Sequence, residues 1–209
     1  MTAEAVDYFS NHGLKLRFPW SLYHRPIVRE LRDALLGSEG THVLNVGSGP
    51  FIELCDLPCN GKRFTLCDID ARAIELAKRI HGSALAGADV VLPGAPLPYG
   101  DATFDVVISM DVVEHVSEPE PWMKEALRVL RPGGLLFLTT PNYASWSLRV
   151  LESTVLEAIA RLQGFSRRDL HPTKLDAGKL GALLESAGAR SESVRPIALA
   201  WVLAARARR

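Results

Sequence analysis

The stretch that most restricts what this chain can become is HVLNV at 42–46, which runs straight into Gly47-Ser48-Gly49-Pro50. Two glycines directly after a short apolar strand permit a sharp turn and a close approach of backbone to a ligand. The segment that follows then offers unsatisfied amides to a polar or anionic group. Asp68 lies about 20 residues on, at the end of the next apolar run, where a carboxylate can accept bonds from both ribose hydroxyls. Together these features predict a nucleoside-containing cofactor held at the carboxyl ends of two neighbouring parallel strands.

The rest of the chain extends that pattern. KRFTLCD reads as a second strand, the 84–92 stretch contains a third, and FDVVISM and LLFLTT are apolar runs typical of buried parallel strands. Between them fall helical segments. Pro26 opens a helix over 26–37, FIELCDL forms a brief helix closed by Pro58, Asp70 caps a helix over 70–82, and another covers 119–130 ahead of Arg131-Pro132-Gly133-Gly134. Asp176 caps a last helix that ends at Gly188, and SESVRPI with ALAWVLAARA reads as two antiparallel strands joined by a tight turn at the sheet edge. Strand and helix alternating in this way require right-handed crossovers and a parallel sheet covered on both faces.

Composition narrows the function. The 209 residues are 47% apolar, with 24 basic and 24 acidic residues, which suits one ordinary domain with a sizeable core. Zero net charge argues against a protein whose main task is holding a nucleic acid. The charge is unevenly divided, about +5 from Asn142 onward and about −5 before it. Three cysteines, Cys55, Cys59 and Cys67, are an odd number and lack a second ligand pair, so neither a disulfide framework nor a metal site is expected. The first 20 residues lack a signal-peptide core and no run of 18 apolar residues occurs, so the expectation is a cytoplasmic protein without a membrane span.

A dinucleotide site calls for GxGxxG, whereas this chain reads Gly47-Ser48-Gly49-Pro50-Phe51-Ile52. The pattern resembles instead the first motif of the class I S-adenosylmethionine-dependent methyltransferases. Asp68-Ile69-Asp70 is similar to that family's acidic motif, and Leu97-Pro98-Tyr99 before Phe104-Asp105-Val106-Val107 to its loop and fourth strand. Val113-Glu114-His115-Val116 and the run Glu125 to Gly134 are similar to the small-molecule branch that includes the ubiquinone-pathway O-methyltransferases. The likeness covers about 41–142.

The resemblance implies an α/β, Rossmann-like methyltransferase fold: a mostly parallel seven-stranded sheet with an antiparallel terminal strand and helices on both faces. It implies a single domain over 1–209, with an N-terminal cap and first helix at 1–38 and a cofactor-binding core at 41–142. A helical lid or substrate insert at 144–171 and a C-terminal helix with terminal hairpin at 176–209 complete it. S-adenosyl-L-methionine is the implied cofactor. Gly47, Ser48 and Gly49 then pass beside its methionine and ribose portions, Asp68 binds the ribose hydroxyls and Ile69 flanks the adenine. Ser109, Met110 and Asp111 form the wall near the transferable methyl. Asn45 stands where the family has an acid facing the cofactor's ammonium group, and Gly94 where an acid reaches the adenine, with Asp89 as a possible substitute.

Methyl transfer needs a nucleophile in line behind the methyl, and a base helps if that nucleophile is a hydroxyl. His115 is the candidate base, since an unshifted imidazole titrates near neutrality; the other reading of His115 is a helix-start residue bonded to backbone. Tyr23 and His24 from the N-terminal segment, and Tyr143, Trp146 and His171 around the lid, are the candidate substrate contacts. The expected activity is methylation of a small-molecule acceptor, at oxygen or else at nitrogen or carbon. An RNA or protein methyltransferase and a catalytically degenerate cofactor-binding scaffold are the alternatives. The basic excess of the lid and tail points to an anionic acceptor there.

Overall fold

The computed structural model describes residues 21–57, 61–151, 154 and 171–209. The N-terminal cap before residue 21, Cys59, and residues 152, 153 and 155–170 of the expected lid lie outside the described residues.

Seven strands form one sheet in the order β3-β2-β1-β4-β5-β7-β6. They are β1 (His42–Val46), β2 (Arg63–Asp68), β3 (Leu85–Val90), β4 (Phe104–Met110), β5 (Leu130–Pro141), β6 (Arg190–Ile197) and β7 (Val202–Arg208). β1 pairs in parallel with both β2 and β4, β2 with β3, and β4 with β5. β7 runs antiparallel to β5 on one side and to β6 on the other. The terminal strand is therefore not at the edge: it inserts between β5 and β6, and β6 is the edge. The chain moves from β1 outward to β3 and then returns to place β4 on the other side of β1. That reversal opens a crevice at the carboxyl ends of β1 and β4, where ligands of open α/β sheets bind.

Period-two alternation builds both faces. Leu44, Val107, Leu136 and Leu138 meet Met123 and Leu127 of α3 (Pro119–Val129) and Leu180 and Leu184 of α5 (Ala177–Ser186). Val43, Val106, Ile108 and Phe137 meet Leu31 and Leu35 of α1 (Ser21–Leu36) and Ile74 and Ala77 of α2 (Ala71–His81). Each such buried Leu, Ile or Phe contributes about 1.5–3 kcal/mol. α4 (Trp146–Leu151) lies within the 144–171 segment expected to form a helical lid or substrate insert. The caps form as read: Asp70 accepts from the Arg72 amide and Asp176 from the Lys179 amide, both at 2.9 Å.

Four boundaries differ from expectation. α1 is described from Ser21, so Pro26 lies inside the helix rather than at its start. The lost backbone bond is offset by tertiary contacts of that first turn and a half: Tyr23 and Ile27 pack with Trp201 and Val202. FIELCDL is a tight 3-10 turn at Ile52–Asp56, entered through Phe51 at φ 48°. Arg131-Pro132-Gly133-Gly134 lies within β5 as a bulge, because the register with β4 jumps from Phe104↔Leu130 to Val106↔Leu135. A Cβ on Gly134 would sit 2.8 Å from the Arg131 carbonyl and 2.9 Å from that of Asp105, so glycine is required there. Finally, Ala198, Leu199 and Ala200 all have positive φ and form the hairpin turn, so β7 begins only at Val202.

Candidate active site

The turn after β1 is drawn over the end of β2 by its backbone. The Gly47 and Ser48 amides both donate to the Cys67 carbonyl, at 2.8 and 3.1 Å. Gly47 has φ 67°, and a Cβ there would lie 2.5 Å from a Val112 methyl. At Gly49, φ is 53° and a Cβ would meet nothing within 4 Å, so that side of the loop is open space. Asp68 holds the loop in this shape: its Oδ2 accepts the Gly49 amide at 2.7 Å and its Oδ1 the Asp70 amide at 2.9 Å. A carboxylate has about four acceptor positions, so Asp68 retains capacity for two hydroxyl donors.

Above this turn is a cavity of about 300 Å³. Gly47, Ser48, Gly49, Asp68, Met110, Asp111 and His24, all singled out in the sequence, line it together. Glu53 and Asp70 line it too. The sequence marks Asp70 as a helix cap and as part of the acidic motif without a cavity role, and Glu53 carries no sequence signal of its own. Asp111, at φ 53°, ties the walls together, since its Oδ2 accepts from the Tyr23 hydroxyl at 3.2 Å and its Oδ1 from the Thr139 hydroxyl at 2.9 Å. Four carboxylates thus face one small space. The Arg72 guanidinium beside Asp70 holds that carboxyl below its usual range, and the cavity suits a ligand carrying positive charge.

Other expected residues are elsewhere. Ser109 is buried and donates to the Val46 carbonyl at 3.1 Å, tying β4 to β1 rather than lining the cavity. Ile69 is 63% exposed and outside the lining. Asn45 is fully buried on the face of β1 covered by α1 and α2, and its Oδ1 and Nδ2 have no partner. Asp89 accepts from the Tyr99 hydroxyl at 2.9 Å, which ties it to the loop and leaves it outside the cavity lining. Beneath the turn, burial pushes the Cys67 thiol up to about 12.

His115, His171 and Tyr143 form a second group. The two imidazoles meet edge to face at 4.7 Å and the Tyr143 hydroxyl bonds His171 Nδ1. Trp146 is 75% exposed and does not join them. The basic tail is largely committed to structure: Arg195 and Arg206 pair with buried Glu30, Arg208 with Glu192, and Arg209 donates to the Arg128 carbonyl. Its charge excess is therefore not a free anion-binding surface, contrary to the expectation for the tail.

A sheet of order 3-2-1-4-5-7-6 with a cavity at its switch point, under a Gly-x-Gly turn latched by an acid from the next strand, is a Rossmann-like methyltransferase fold. Residues 44–138, a little under half of the chain, match the family model described as a methyltransferase domain. Among relatives, a "Probable S-adenosylmethionine-dependent methyltransferase" of Mycolicibacterium smegmatis is 36% identical over 94 residues, 45% of this chain and 32% of that protein. The ubiquinone biosynthesis O-methyltransferase of Caulobacter vibrioides is 32% identical over 108 residues, 50% of this chain and 42% of that one. The chain thus spans less than half the length of these relatives. A SAM-dependent methyltransferase from Aquifex aeolicus superposes with TM-score 0.65 at 18% identity, covering 93% of this chain and 95% of that one. No helix among the described residues is long and apolar enough to cross a membrane.

The residues present fit S-adenosyl-L-methionine. Gly49 leaves open the space a side chain would fill, Asn45 keeps an amide with both polar atoms unspent near the end of β1, and the cavity is acidic, as a sulfonium and an ammonium require.

Proposed function

We propose that this chain transfers the methyl group of S-adenosyl-L-methionine to a small-molecule acceptor, with a hydroxyl as the acceptor group. The observation that carries the reading is the latch between Gly49 and Asp68 at the mouth of an acidic cavity. When bound, the cofactor supplies an activated methyl on a cationic sulfur. The chain's part is to hold the reactants: Asp68 accepts from the ribose hydroxyls, Gly47 and Gly49 let the backbone approach, and Met110 and Asp111 wall the methyl end. Positioning of this kind supplies much of the rate, since a well-oriented pair reacts as though at very high effective concentration. Tyr23, through its bond to Asp111, closes the wall from α1. The imidazoles of His115 and His171 follow β4 and the lid, and they favour an acceptor whose proton must be lost. Tyr143 orients His171, while Trp146 and His24 are the further acceptor contacts proposed.

Release of S-adenosylhomocysteine on incubation with RNA and with a panel of hydroxylated, amine and carbon acceptors tests the proposal. Turnover with hydroxylated acceptors alone supports it, and turnover confined to amine or carbon acceptors, or to RNA, rejects the acceptor class. A second reading, a cofactor-binding scaffold without turnover, is motivated by Asn45 and Gly94 standing where acids are expected. Cofactor binding with no turnover on any acceptor would favour it.

A further inference from the structure

Glu114 and His115 are adjacent in the turn after β4, and His171 comes from 56 positions further along, after the lid. The fold brings one ligand-type atom from each to within 4.8 Å of the others. We propose that these three side chains bind a divalent transition-metal ion of the zinc class. Two imidazole nitrogens and one carboxylate oxygen are a donor set that such ions take, and three protein ligands leave a coordination position open.

The surroundings are built to hold these groups. Glu114 is 1% exposed, and its Oε2 accepts from the Thr140 hydroxyl at 3.1 Å, which orients the carboxylate. The loop carrying His171 is fastened to the turn carrying the other two: the Thr173 amide donates to the Glu114 carbonyl at 3.2 Å, and the Thr173 hydroxyl to the Val116 carbonyl at 2.6 Å. Tyr143, whose own amide donates to the Leu175 carbonyl at 2.9 Å, bonds His171 Nδ1. With Nδ1–H donating to that hydroxyl, the other ring nitrogen carries the lone pair a metal needs, the arrangement by which outer partners fix a ligating imidazole.

The site stands on its own geometry, whereas its use rests on the methyl-transfer reading. Asp111 lines the cavity three positions before Glu114 in the sequence, while Glu114, His115 and His171 lie outside its lining, and an acceptor that reached the cluster would meet the open coordination position. An acceptor hydroxyl bound there would lose its proton more readily, as metal-bound water does. His115 would then act on the acceptor through the ion and not as a base.

The experiment uses the whole chain without S-adenosylmethionine, so that its outcome is independent of cofactor binding. Chelator-treated protein is titrated with zinc in competition with a chromogenic chelator, for wild type, His115→Ala, His171→Ala, Tyr143→Phe and, as a control imidazole outside the cluster, His42→Ala. Wild type and His42→Ala should bind one ion per chain with the same affinity. The two ligand variants should bind at least ~100-fold more weakly and Tyr143→Phe about tenfold more weakly. Should a variant fail to fold, ring-nitrogen NMR of wild type decides: zinc should shift the signals of two histidines at one equivalent. Absence of zinc binding to wild type, affinity unchanged in both His115→Ala and His171→Ala, or no pair of shifted histidines overturns the proposal.

Discussion

Asp68 Oδ2 accepts the Gly49 amide at 2.7 Å, so the acid at the end of β2 shapes the loop at the end of β1 before any ligand arrives. On the proposed reading, shaping the loop and binding the ribose are coupled in one side chain. Asp68→Ala should lower stability by about 1.5–3 kcal/mol, the range for a hydrogen bond to a charged group, and weaken cofactor binding at least tenfold. Asp68→Asn should recover part of the stability and little of the affinity. Denaturant unfolding and calorimetry on the same samples separate the two effects; a stability loss with cofactor affinity intact would confine Asp68 to structure.

Gly47 is fixed by sterics. Adding a methyl at φ 67°, 2.5 Å from a Val112 carbon, combines backbone strain with overpacking. Gly47→Ala should cost about 2–4 kcal/mol. The double variant with Val112→Ala should regain the clash component only, so its melting temperature should fall between those of Gly47→Ala and wild type.

Asn45 offers a trade of stability against binding. Its amide is buried with neither Oδ1 nor Nδ2 partnered, among apolar side chains on the α1 and α2 face. Asn45→Leu should stabilise the cofactor-free protein by about 1–3 kcal/mol by removing that desolvation cost, and should weaken cofactor binding. Thermal melts with and without cofactor check both halves: the variant should melt higher alone and gain less from the ligand.

Cys67 gives a pH signature. Burial raises its thiol to about 12, well above the unfolded thiol, so the stability it contributes is complete below about pH 8.5 and is lost as pH climbs toward 12. Between pH 9 and 11, wild-type unfolding free energy should fall more steeply than that of Cys67→Ala, by about 1.4 kcal/mol per pH unit. Iodoacetamide at pH 8 should modify exposed Cys55 and spare Cys67, as mass spectrometry of the digest can show.

Much of the fold could be read from local pattern because its signals are local: apolar runs of strand length, Asp70 and Asp176 at helix starts, and the Gly-Ser-Gly-Pro turn. What eluded sequence reading depends on distant partners. The helical turns of α1 around Pro26 pack through Tyr23 and Ile27 on Trp201 and Val202, far along the chain, and these contacts outweigh the local preference of Pro26. The Pro-Gly-Gly segment resembles a turn in sequence, yet it is a bulge because β4 must pair on both sides of it. In the site, Gly47, Gly49 and Asp68 carry a recognisable spacing. The group formed by Glu114, His115 and His171 carries none, since only the return of the chain after α4 assembles it. The basic tail misled for a related reason: charge counts cannot show that Glu30 neutralises Arg195 and Arg206.

The most direct test of the central claim is calorimetric titration of the wild-type chain with S-adenosyl-L-methionine and with its demethylated product. The latch and the acidic cavity predict a saturable 1:1 isotherm for both ligands, abolished or much weakened in Asp68→Ala. Absence of binding at millimolar ligand, or equal binding by wild type and Asp68→Ala, would contradict the assignment of the cavity beside Gly49 and Asp68 as the cofactor site.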